Sequence, residues 1–243
     1  MNPSCRIFLG AGLCLLALSL WALAPVAALA SSMGGVLGKA LAEGRLTAEE
    51  AAAIDAKIED ARAEGLPAGH FAAKVDEGLA KRVPGRTILN ALEAMLGDYV
   101  FARETLSRGG SVPAPEDIAM AGDSLRLGLS RKELVEMANL TPHAPSAMLA
   151  TAARTRAYLN GISFPSALSA DVLRQGLAAG TLTPGWTQLF RVVQRARDAG
   201  RPDAAVAEAA IRTLVEGGGP DHLLQELGFT GRDIRRAPGG TGN

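Results

Sequence analysis

Cysteine is nearly absent: the 243 residues contain two, Cys5 and Cys14, and none follows position 14. Beyond that point the chain has no thiol nucleophile, no zinc–thiolate or haem-attachment motif, and no disulfide. Aromatic residues make up 4% of the chain. The basic stretch over residues 191–201 has none interleaved with its arginines, which speaks against nucleic-acid binding. Neither sign of charge is in excess, with 25 Lys and Arg against 25 Asp and Glu. Such a balance gives no long-range pull toward nucleic acid or an anionic membrane. A glycine-rich phosphate loop, a G-x-S-x-G elbow and an H-E-x-x-H helix are all missing. Strict polar–apolar alternation over the length of a strand is also missing, which points away from β structure.

What is present begins with the first thirty residues. Arg6 precedes an uncharged apolar run from Ile7, Pro25 breaks it, and Ala28-Leu29-Ala30 places small residues where a signal peptidase reads. The pattern is that of a secretory signal peptide over residues 1–30, with cleavage expected before Ser31 and a periplasmic destination. Leu13 stands directly before Cys14, where a lipid-modification box has a smaller residue. Removing 30 of the 243 residues would leave 213 with no cysteine, and 24 basic against 25 acidic groups, since Arg6 is the one charge removed. Residues 7–30 are also long enough to cross a bilayer, so an uncleaved segment would make the chain membrane-anchored.

After Ser32 the chain reads as a series of short helices. Thr47-Ala-Glu-Glu50 and Ser130-Arg-Lys-Glu133 are capping boxes. Ala51, Ile54, Ile58 and Ala61 recur at helical spacing, and Phe71, Val75 and Leu79 follow four apart. Ile88, Leu89, Leu92, Met95 and Leu96 share one face after Pro84. Asn160-Gly161 and Gly180 read as C-terminal caps, and Thr183-Pro184 as a cap followed by a first-turn proline. Trp186, Leu189, Phe190 and Val193 then form an apolar face, as do Val206, Ala210, Ile211 and Leu214. The fold class expected is all-α: short packed helices, in the manner of stacked αα-hairpins in two halves.

Two corners read alike, Gly65-Leu-Pro67 and Gly200-Arg-Pro202, each followed by apolar positions at matching intervals. Gly44-Arg-Leu-Thr47 and Gly180-Thr-Leu-Thr183 also match, with looser versions at Gly128 and Gly228. Shared ancestry of a helix pair and simple Ala-rich composition both explain the likeness. The organisation expected is an N-terminal helical region over residues 31–108 and a Gly/Pro linker over 109–115. A C-terminal helical region over 116–236 and a disordered tail over 237–243 follow.

Candidate chemistry is sparse. His70 and Glu77 lie on one helix face, but seven residues apart, roughly 10 Å along the axis, with Lys74 between them. That spacing suits an alternating-charge solvated face better than a metal site. His143 and His222 have no Ser, Cys or Asp at a motif spacing, although a site assembled in space remains open. Lys81, Arg82 and Arg86 flank Pro84, where the first turn of a helix would favour an anion. The alternative pairs Lys81 with Glu77 and leaves both arginines in water. No cofactor and no metal is expected.

Gly65-Leu-Pro67, Lys74-Val-x-Glu77-Gly-Leu-Ala-Lys81-x-Val-Pro84 and Ile88-Leu-x-Ala91-Leu92 together resemble a segment of uncharacterised exported bacterial helical proteins, over residues 44–96. Arg82 stands where such sequences carry a small residue, often glycine. The resemblance implies export and a helical fold, and no activity. The function expected is a non-enzymatic periplasmic interaction or scaffold protein with an envelope protein as partner. An exported hydrolase with a spatially assembled Ser/Asp/His site, or an N-terminally anchored helical protein, are the alternatives.

Overall fold

The computed structural model describes residues 34–110 and 112–229. The expected signal segment and its cleavage point, and the tail expected over 237–243, lie outside the described residues. Those residues form eleven α-helices and no strand. The helices are α1 (Gly34–Ala42), α2 (Ala48–Ala63), α3 (Ala68–Ala80) and α4 (Gly85–Leu106), then α5 (Pro115–Arg126) and α6 (Arg131–Leu140). There follow α7 (Ser146–Gly161), α8 (Ser166–Ala179), α9 (Leu189–Asp198), α10 (Asp203–Val215) and α11 (Pro220–Glu226). None of the described helices is long and apolar enough to cross a membrane.

Both capping boxes form as the sequence pattern requires. The Thr47 hydroxyl accepts from the Glu50 amide, and the Glu50 carboxylate accepts from the Thr47 amide at 2.9 Å. Ser130 and Glu133 do the same at the start of α6. Each satisfies two amides that a helix start otherwise leaves open. Two other termini differ from their sequence signals. Gly161 is the last residue of α7 rather than its cap, and Ser163 takes the left-handed conformation instead, with φ 55°. The Ser163 and Phe164 amides reach back to Asn160 and Leu159, so the turn closes one step later and seats the buried Phe164. Residues Pro184–Gln188 form a tight 3-10 turn before α9, and Thr183 makes no side-chain cap bond. The wholly buried Trp186 packs into that turn.

The apolar positions expected to face inward do so. Ile54, Ile58, Phe71, Val75, Ile88, Leu92, Met95 and Tyr99 belong to one buried cluster, built by α1 to α4 with the first turn of α5. A second, larger cluster takes in the ends of α4 and α5 and everything beyond. Burying side chains of this size stabilises the fold by about 1.5–3 kcal/mol each. The two clusters meet along α4 and α5, which pack on each other and carry residues of both: Tyr99 and Ala102 on α4, Ile118 and Ala121 on α5. Residues 109–115 thus connect two helices in contact. Gly109 lies so close to the Pro142 carbonyl oxygen that a Cβ there would be 2.6 Å away.

The paired corners share a backbone conformation. Gly65 and Gly200 both have φ near 70°, and each precedes a thirteen-residue helix, α3 and α10. Gly44, Gly128, Gly180 and Gly228 are all left-handed as well.

Candidate functional site

Two concavities bring functional side chains together. The first is polar and lies between α3, α4, α5 and α7, where the two apolar clusters meet. It has a volume of about 440 Å³. Its centre is Tyr99, wholly buried and edge-on to Phe71, with ring centroids 5.4 Å apart. The phenol donates to Asp123 Oδ1 at 2.8 Å and lies 3.4 Å from His70 Nδ1. Burial, and then the Asp123 carboxylate, push the phenol well above its usual range, so its proton stays in place. Gly122 makes this geometry possible: a Cβ there would fall 2.3 Å from Tyr99 Cδ1.

Around Tyr99 stand charged groups from three other helices. Arg154 on α7 approaches Asp123 Oδ2 at 3.5 Å and the Met120 carbonyl at 3.3 Å, and its guanidinium lies over the Tyr158 ring. Its Nε–H is buried without an acceptor among the described residues. Lys74 and Lys81 both hold Glu77, whose carboxyl drops to about 2 because Lys74 and then Lys81 bond its charged form. His70, half exposed, faces Asp123 at 3.9 Å. Neither serine nor threonine is among the residues lining this pocket. The described residues contain no group of three or more His, Cys, Asp or Glu placed to hold a metal ion.

The second concavity lies between α6 and α8 over α7, again about 440 Å³, and is mainly apolar. Met137 and Leu140 form one wall and Leu173 and Leu177 the other. Leu140 is 54% exposed. The floor is set by Arg156, 6% exposed, which donates to Glu133 Oε1 at 2.8 Å, to the Ser166 carbonyl and hydroxyl at 2.8 Å each, and to Ser169. Burial raises the Glu133 carboxyl, but Ser130 and Arg156 outweigh it and hold the group below its ordinary value. The network fastens α6, α7 and α8 to one another beneath the groove.

The three cations singled out around Pro84 occupy different surroundings. Lys81 is turned to Glu77. Arg82 takes a left-handed conformation, φ 57°, and lines a cavity of about 400 Å³ with Glu43 and Arg45. Arg86 is exposed on the first turn of α4. A Cβ on Gly85 would lie 2.6 Å from the Glu50 carboxyl carbon, so a carboxylate of the chain itself rests against that turn. His143 and His222 are exposed.

The polar pocket was not visible in the sequence, because His70, Tyr99, Asp123 and Arg154 come from four helices at no motif spacing. The one available signal was Gly122, a glycine inside a helical pattern, which marks a close approach. No family model matches the chain, and neither does any curated protein or solved structure.

Proposed function

We propose that the chain is an exported, non-enzymatic interaction protein of the bacterial envelope, built from repeated helix pairs, that binds a partner through the α6–α8 groove. The single observation carrying this reading is that groove, an apolar trough walled by Met137, Leu140, Leu173 and Leu177 with Leu140 left largely exposed. Helical proteins take up an amphipathic helix in such a trough, laying its apolar face between the walls. Glu136 on one wall and Arg174 on the other suit an occupant with charges of both signs flanking its apolar stripe. The occupant proposed is therefore an amphipathic helix of an envelope protein. Export rests on the sequence pattern of residues 1–30. A hydrolase would need a nucleophile beside His70 and Asp123, where the pocket offers Tyr99 with its proton committed to Asp123.

The test is expression of the full-length chain in a bacterial host, followed by fractionation, N-terminal analysis and crosslinking. A periplasmic protein beginning at Ser31 is expected, retaining a reproducible envelope partner that Leu140→Asp loses while its melting temperature stays unchanged. Equal retention by L140D would remove the groove from the account, and a chain kept in the membrane by its first thirty residues would remove cleavage.

A further inference from the structure

We propose that the pocket between α3, α4, α5 and α7 is a second and separate site, which binds a small oxyanion-bearing solute, a carboxylate or a phosphate, on Arg154 and Arg126. Its volume of about 440 Å³ is that of a pocket for a small molecule. Its charge favours an anion. Lys74, Arg126 and Arg154 line it against Glu77 and Asp123, and Glu77 is also claimed by Lys81 from outside. Asp123 offsets one of these charges, with Oδ2 3.5 Å from Arg154 while Oδ1 accepts from Tyr99, so three cations face two carboxylates in the lining.

The arginines have donors to spare. The Arg154 N–H groups make their polar contacts at 3.3–3.5 Å, longer than a charge-assisted bond prefers. Carboxylates and phosphates engage a guanidinium through two such N–H groups at once. Arg126, exposed in the last turn of α5, makes no hydrogen bond or ion pair with a described residue. The adjoining wall is held still: Gly122 admits the Tyr99 ring, Phe71 meets it edge-on, and Asp123 accepts the hydrogen bond from its hydroxyl. His70 stands at the rim, where it reports on occupancy. The site shares no lining residue with the α6–α8 groove, so either can fail alone.

The experiment is calorimetric titration of the full-length chain in low-salt buffer with inorganic phosphate and, separately, glutarate, alongside NMR observation of the His70 ring. Saturable binding of at least one probe is expected, with the His70 resonances shifting along the same isotherm. Phosphate alone would identify a phosphate-bearing solute, glutarate alone a carboxylate, and both a site that reads the shared oxyanion. Arg126→Gln should weaken binding about tenfold, as loss of one charged contact implies, with no change in melting temperature. Arg154→Gln should abolish it. The proposal is overturned if neither probe saturates, if R126Q binds as tightly as the unaltered chain, or if heat is released while His70 stays unmoved.

Discussion

Replacing Gly122 with alanine sets two effects of known sign against each other. In a helix interior alanine is better than glycine by about 1 kcal/mol. Against this stands the Tyr99 ring, whose Cδ1 would lie 2.3 Å from the new methyl carbon and Cε1 2.8 Å. Carbon atoms in good contact are about 3.5–4.0 Å apart, so the ring must retreat by more than about 1 Å. It has little room to do so, being wholly buried against Phe71 with its hydroxyl tied to Asp123. Overpacking of a tight core costs about 1–3 kcal/mol, and a rigid ring held at both ends belongs at the top of that range. The net expectation is a loss of about 2 kcal/mol, or roughly 4–8 °C in melting temperature for a chain of this size. Urea denaturation and calorimetry would measure it. The double variant Gly122→Ala/Tyr99→Leu supplies the control, since a smaller side chain removes the clash and the two changes should be coupled favourably by about 1–2 kcal/mol. A Gly122→Ala protein more stable than the unaltered chain would show that the Tyr99 ring does not lie against α5, and the polar pocket would lose its fixed wall.

Arg156→Leu should cost about 3 kcal/mol, because Glu133 and the Ser166 carbonyl are left without the partner that satisfies them; a fall of roughly 6–12 °C in melting temperature would register it. Arg82→Gly should stabilise by about 0.5–1 kcal/mol, since φ 57° is a conformation glycine adopts without strain, and chemical denaturation would detect the gain. Glu133 and Asp203 titrate below their ordinary values, Glu133 in spite of burial through Ser130 and Arg156, Asp203 chiefly through its hydrogen bond from Arg197. Depressed carboxylates contribute stability that is complete above their unfolded values, near 4, and is lost as pH falls through the folded ones. The melting temperature is therefore expected to hold from pH 7 to about 5 and to decline below about pH 4; a decline that began at pH 6 would point to other groups.

The helices were legible where the code is local. Thr47 with Glu50 and Ser130 with Glu133 mark their own helix starts, and the spacing of Phe71, Val75 and Leu79 identifies the face that is buried. Signals failed where packing chose between near-equal local options. Gly161 looks like a cap, but seating Phe164 moved the left-handed residue on to Ser163; the bulk of Trp186 goes with a 3-10 turn where Thr183-Pro184 reads as an α-helix start. The surroundings of Lys81 followed from its spacing to Glu77, a contact within one helix. His70 belonged to the same helical face, yet its neighbours Tyr99 and Asp123 lie 29 and 53 residues away, and only the packing of α3 against α4 and α5 brings them together. The α6–α8 groove was hidden for the same reason, since its walls come from two helices that are not consecutive in the chain.

The central claim, that the α6–α8 groove holds a helix of an envelope partner, is tested most directly by light-activated crosslinking in living cells. A photoreactive residue would be placed at Leu140 and, as a control, at Val215, which is 62% exposed at the end of α10. The account predicts one discrete product from position 140, none from 215, and a crosslinked partner peptide whose apolar residues repeat at helical spacing. Equal products from both positions, or none from 140 in cells where the protein is exported and folded, would contradict it.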